Sequence, residues 1–307
     1  MKLIGISSYP RRMKKLALAL TLACLLGPAS THAQNAYITN FNSNSVSVID
    51  TATDMVIATV PVGLRPGGVA VTPDGSKVYI TNEDSNTVSV IDSATNTISA
   101  TIPVGLVPFG VAVTPDGSKV YVANGGSGTV SVIDTATDTV SATIPVGNRS
   151  SPLGIAVTPD GSKVYITNRS DPNTVSVIDT ATNTVIATIF FPVSDNPQGV
   201  AVKPDGSKVY VANFGANTVS VIDTATNTIT ATIPVGNGPV AFGVFIQPPR
   251  PGQPPPSFAG VAGSANCHGT SVSALVAKFG GLDAAAAALG FSNVQGLQDA
   301  IRAFCEG

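Results

Sequence analysis

Apolar and polar residues alternate with period two in short runs between residues 36 and 246. Gly110-Val111-Ala112-Val113, Lys119-Val120-Tyr121-Val122, Thr129 to Asp134 and Thr139 to Ile144 are rich in β-branched side chains, the pattern of half-buried strands. Turn residues separate them. Thr-Pro-Asp-Gly, at Thr72, Thr114 and Thr158, puts proline second and glycine fourth, which suits a tight type I turn. Asp-Thr-Ala-Thr runs offer side-chain oxygens to neighbouring backbone amides. Four strands, A to D, thus fill Gly110 to Gly147, and most of the chain repeats that unit. The tyrosine of strand B recurs at Tyr37, Tyr79, Tyr121, Tyr165 and Tyr210, with spacings of 42, 42, 44 and 45. A four-stranded unit of that period is a propeller blade.

The bookkeeping of strands predicts a closed ring. The first copy has B, C and D but no A. Later copies begin with an A strand at Gly68, Gly110, Gly154 and Gly199. After the fifth D strand, Phe242 to Ile246 resembles another A strand with nothing following it. Pairing Gly243–Ile246 beside Tyr37–Asn40 would make an all-β, five-bladed propeller of four-stranded blades without an exposed edge at the seam. A monomer is expected. Two chains sharing a larger ring is the alternative.

Tyr-Ile-Thr-Asn and Tyr-Val-Ala-Asn, with GVAVTPDGSK before and TVSVIDTAT after, resemble the YVTN family of β-propeller repeat proteins. The resemblance spans residues 36 to 246. It implies extracytoplasmic or cell-surface binding and scaffolding, often without an assigned reaction, and rings that more often have about seven blades. It also implies that strand A is innermost.

The flanks read differently. Residues 1–33 resemble a secretory signal: Arg11, Arg12, Lys14 and Lys15 precede an apolar run from Leu16 to Leu26, and Thr31-His32-Ala33 fits a cleavage site. That run is too short to span a bilayer, so no transmembrane segment is expected in the mature chain. Its loss removes five of the 16 basic residues and no acidic ones, leaving 11 basic against 18 acidic. An acidic chain with thinly spread charge is not a nucleic-acid binder. A hydrophobic content of 43% excludes a disordered chain.

Residues 34–247 form the propeller, 248–257 a proline-rich linker, and 258–307 a small α-helical module. In that module Val294, Leu297, Ile301 and Phe304 share a helix face, and Ser292 with Gln295 reads as a capping box. So small a unit needs a staple. Cys267 and Cys305, the only cysteines after the leader, are expected to form a disulfide.

Chemistry is sparse. His268 is the only histidine after the leader. Cys267-His268 lacks the first cysteine of a heme-attachment motif. Strand A reads GVAV, GVAV, GIAV, GVAV and GVFI, with nothing ionisable, so no catalytic residue, metal or cofactor is expected there. The A–B and C–D turns are nearly identical between copies, whereas the B–C loops and D–A connections vary. Because strands alternate in direction, the variable loops share one face. Phe41, Arg65, Phe109, Arg149, Arg169 and Phe214 are the binding candidates on it, for a protein or glycan partner at the periplasm or cell surface. The competing reading is a hydrolase or lactonase with a loop-borne site, metal-assisted through Glu83, Asp84, Asp171 or Asp195.

Overall fold

The computed structural model describes residues 34–147, 151–170, 172–243, 282, 285–286 and 294–306. The chain divides into two compact units, Met1–Gln247 and Pro248–Gly307. The first is a five-bladed β-propeller. Blade one comprises β1 (Asn35–Asn40), β2 (Ser45–Asp50) and β3 (Met55–Pro61). Blade two is β4 (Pro66–Val71), β5 (Lys77–Asn82), β6 (Thr87–Asp92) and β7 (Thr97–Pro103). Blades three, four and five repeat that four-strand order from Pro108 to Pro145, Pro152 to Phe190 and Pro197 to Pro234. Their A strands are β8 (Pro108–Val113), β12 (Pro152–Val157) and β16 (Pro197–Val202). Within every blade the strands follow chain order and pair antiparallel.

The turns behave as their composition dictates. At Thr72–Gly75 the Gly75 amide donates to the Thr72 carbonyl at 2.8 Å, with Gly75 at φ 73°. Thr72 Oγ1 and the Ser76 amide both donate to Asp74 Oδ1, at 2.6 and 3.0 Å. These bonds, led by the Thr72 hydroxyl, pull the Asp74 carboxyl down to about 2. In the C–D turn of blade two the amides of Ala94 and Thr95 donate to Asp92 Oδ1, and Asn96 then takes φ 54°. Asparagine and aspartate tolerate that left-handed conformation better than other side chains.

Strand A starts two residues before the Gly-Val-Ala-Val expected from the sequence. Pro66 pairs with Asn82, the register shifts, and pairing resumes at Val69 with Ile80. The interruption lets the Gly68 amide donate to Thr81 Oγ1 at 2.8 Å. Alternation of apolar residues does not reveal a bulge stabilised by a threonine on the neighbouring strand.

The core lies between blades rather than within them. Tyr79, Val88, Val90 and Ile102 of blade two pack against Val120, Val122 and Ile133 of blade three. Equivalent clusters join blades one and two, three and four, and four and five. The motif tyrosine reaches across three of these four seams. Tyr79 donates to Asp138 Oδ1 at 2.8 Å, Tyr121 to Asn183 Oδ1 at 3.0 Å and Tyr165 to Asn227 Oδ1 at 2.9 Å. The motif asparagine works inside its own blade, where Asn124 Nδ2 donates to Thr129 Oγ1 and Ser131 Oγ.

At the inner edge, glycine allows the blades to approach. A Cβ on Gly110 would overlap the carbonyl oxygen of Leu153, and one on Gly199 would overlap that of Ala241. The segment after blade five therefore starts along β16 as each inner strand starts along its predecessor. Gly243 has φ 79° and lies outside any strand, and the rest of the proposed closing strand, 244–246, lies outside the described residues.

In the second unit a helix runs over Val294–Glu306, with Leu297 and Ile301 fully buried, as the apolar stripe implied. Leu282, Ala285 and Ala286 are also helical. The leader at 1–33, the linker at 248–257, the capping residue Ser292 and the sulfur pairing of Cys267 with Cys305 lie outside the described residues. Among the described residues no helix is long and apolar enough to cross a membrane.

Candidate functional site

The variable loops do share one face, and the backbone shows why. Each D–A connection is hydrogen-bonded to the B–C loop of the next blade. The Glu83 amide donates to the Arg65 carbonyl, Gly125 to Val107, Arg169 to Ser151 and Phe214 to Asn196. An asparagine in the preceding B–C turn fixes the other side: Asn44 Oδ1 accepts from the Arg65 amide and Asn86 Oδ1 from the Val107 amide, each at 2.9 Å. Loops held at both ends present their side chains on a rigid rim.

Two groupings stand on that rim. In the first, the guanidinium carbon of Arg65 lies 4.5 Å from the centroid of the Phe41 ring. The same guanidinium is 3.5 Å from Asp84 Oδ2, with both side chains about half exposed. Arg65 has φ 53°, so the backbone is turned to bring its side chain between the two blades. Ring, cation and carboxylate thus form one stack, with stabilisation limited by its exposure.

The second grouping is aromatic. Phe109, near the start of β8, meets Phe242 edge-on, with ring centroids 5.5 Å apart and planes at 61°. The first ring lies over Gly67 of β4, where a Cβ would be in ordinary contact with it at 3.4 Å. Phe242 is 46% exposed, so the pair keeps apolar surface open to solvent.

The other candidates are not gathered with these. Phe214 is 41% exposed and lies beside Gly238. Arg169 is exposed. Arg149 and Asp171 fall outside the described residues. Asp195 is buried in the connection between blades four and five, and desolvation raises its carboxyl above the usual range. Asp84 is engaged by Arg65, and no three His, Cys, Asp or Glu side chains among the described residues stand close enough to hold a metal.

Phe242 is the residue that sequence reasoning left out of the face, having assigned it to the closing strand. Its alignment with Phe109, as Phe-Gly-Val in both places, was the available signal. Among the described residues, the opposite, uniform face carries clefts of about 570 and 280 Å³. Turn residues such as Asp160, Lys163 and Asp205 line the larger one. Asp160 and Asp205 already serve their own turns, accepting from the amides of Ser162 and Ser207, and Lys163 Nζ donates to the Thr224 carbonyl of the next blade.

Solved structures share this architecture at low identity. A Kuenenia stuttgartiensis hydrazine synthase superposes with a TM-score of 0.51 at 22% identity, over 67% of this chain and 84% of that one. Dihydro-heme d1 dehydrogenase NirN, in complex with DHE, gives 0.57 at 22% identity over 70% of this chain, which spans 47% of NirN. A functionally unknown protein from Desulfotomaculum acetoxidans DSM 771 gives 0.60 at 20% identity, covering 67% and 68% of the two chains. No curated protein sequence matches. The family model described as the cytochrome D1 heme domain matches residues 32–245, the whole ring, and the chain belongs to that family.

Proposed function

We propose that this chain is an exported, non-catalytic propeller of its family, whose variable-loop face binds a protein or glycan of the cell envelope. The observation that carries the reading is the rigid rim bearing Phe41, Arg65 and Asp84 beside the Phe109–Phe242 pair. Half-exposed aromatic rings and a preorganised guanidinium are the side chains that dominate recognition surfaces.

The family name raises heme as a ligand, and the residues do not fit it. Heme iron takes an axial ligand from histidine, cysteine, methionine or tyrosine. Residues 34–247 contain no histidine and no cysteine. Their one methionine, Met55, is 65% exposed on strand β3, the outer edge of blade one. Tyr79, Tyr121 and Tyr165 are fully buried, with their hydroxyls committed to the next blade, while Tyr37 is buried and Tyr210 half-buried on strand B of their blades, one strand out from the axis. The inner strands β4, β8, β12 and β16 carry no histidine, cysteine, methionine or tyrosine.

The test is binding by the full chain and by a Phe41→Ala/Arg65→Ala/Phe242→Ala variant. Both are applied to a glycan array and to immobilised envelope proteins. The expected result is a ligand held by the native chain and lost by the variant, with unchanged circular dichroism. Equal binding by both, or a stoichiometric Soret band with a ligated-heme spectrum on adding heme, would overturn the reading.

A further inference from the structure

Four seams of the ring are packed and one is not, although at the seam between blades one and two Tyr37 packs without a hydrogen bond across it. Across three of them a lysine and a tyrosine on strand B reach the C–D turn of the next blade. Lys77 Nζ donates to the Thr135 carbonyl at 2.7 Å and lies 2.8 Å from Asp138 Oδ2. Lys119 donates to the Thr180 carbonyl and Lys163 to the Thr224 carbonyl, each at 2.6 Å. The tyrosines beside them bond Asp138, Asn183 and Asn227. Blade five repeats the donors as Lys208 and Tyr210. Blade one repeats the acceptors as the Thr51 carbonyl and Asp54, with Asp54 at φ 56° against 52° for Asp138. Among the described residues, neither Lys208 nor Tyr210 has a hydrogen-bond partner in blade one.

Burial points the same way. Ile102, Ile144 and Ile189 on strand D are 4–7% exposed where a neighbouring blade covers them, but Ile233, their equivalent in blade five, is 43% exposed. On the facing edge Ile38 is 50% exposed, whereas Ile80, its equivalent in blade two, is fully buried. Both edges carry the apolar residues of a seam core without the core.

We propose that these two edges join between molecules: blade five of one copy docks on blade one of a second copy of this chain. Tyr210 then bonds the partner's Asp54, Lys208 reaches the same carboxylate and the carbonyl of Thr51, and Ile233 covers Ile38. The edges match because the repeat has already solved this interface inside the chain. The occupant is a second copy because both edges of one chain stand uncovered while carrying the residues that pair with each other at its other seams. The contact is head-to-tail, so it grows into a ring or an open chain rather than stopping at a two-fold dimer. This departs from the monomer expected of a ring closed within one molecule.

Sedimentation velocity of the full chain over a wide concentration range tests it. The expected result is concentration-dependent assembly beyond the monomer. Ile233→Asp spoils only the blade-five edge and Asp54→Lys only the blade-one edge; both sites are exposed, and because lysine at the left-handed φ of Asp54 adds strain, Ile38→Asp on the same edge serves as its second variant. Each alone should weaken association by at least about tenfold. Mixed, the two variants still have one good edge apiece, and they should form a one-to-one complex that grows no further. A native chain that stays monomeric at every concentration would overturn the proposal. So would a monomer whose melting temperature falls with Asp54→Lys and recovers in Asp54→Lys/Lys208→Asp, since the seam would then close within one molecule.

Discussion

Gly110→Ala adds one methyl group where two inner strands touch. Its Cβ would overlap the Leu153 carbonyl oxygen and lie 3.1 Å from Ile155 Cγ2. Neither neighbour can step aside by changing rotamer alone, because the oxygen belongs to the backbone at the start of β12. Blades three and four must part, or both strands must bend. Overpacking a well-filled core costs roughly 1–3 kcal/mol, and overlap with backbone places this substitution near the upper figure. At roughly 2–4 °C per kcal/mol for a domain of this size, the melting temperature should fall by ~6–12 °C. Gly236→Ala is the internal control, since nothing lies within 4 Å of a Cβ there. It should change stability by no more than about 0.5 kcal/mol. Calorimetry on the two variants and the parent decides. If Gly110→Ala melts with the control, the inner strands do not abut, and the account of how the blades pack is wrong.

Tyr121→Phe removes a hydroxyl that donates to Asn183 Oδ1 and should cost about 1 kcal/mol in chemical denaturation. Tyr210→Phe, whose hydroxyl has no such partner among the described residues, should cost much less in dilute solution. Burial first, then nearby carboxylates, pushes the Tyr121 and Tyr165 phenols from 10.0 up to about 12. The folded state therefore favours the protonated phenol. The stability this contributes is complete below pH 10 and is lost as pH rises towards 12, which phenolate absorbance tracked with unfolding will show. Hydroxyl and amide donors lower the Asp74 and Asp116 carboxyls from 3.8 to about 2. Their contribution is present above pH 3.8 and disappears as pH falls towards 2. Asp116→Asn should accordingly melt below the parent at neutral pH and converge with it in acid. Arg65→Ala breaks only the half-exposed stack, so it should change stability by less than about 1 kcal/mol while reducing binding to the variable face.

Much of this molecule can be read without coordinates, because the repeat states the same facts five times. Period-two alternation, Pro-Asp-Gly turns and tyrosines 42 to 45 residues apart specify strands, their order and the blade. Comparing the copies with one another also separates a uniform face from an individual one, since loops at one end of antiparallel strands must share a side. The absence of histidine and cysteine from residues 34–247 excludes those donors outright, whatever the fold.

Other features exist only between residues distant in the chain. The bulge at Gly67-Gly68 depends on Thr81, and the stack of Phe41, Arg65 and Asp84 joins loops of two blades. Tyr79 marks the repeat in sequence, but its partner Asp138 lies 59 residues away and becomes one only when blade two meets blade three. Counting strands pairs the ends of the ring on paper. Whether the edges of blades one and five meet depends on the angle set at each seam by glycine, carbonyl and tyrosine contacts. An angle summed over four seams is a property of packing, and no single stretch of the chain encodes it.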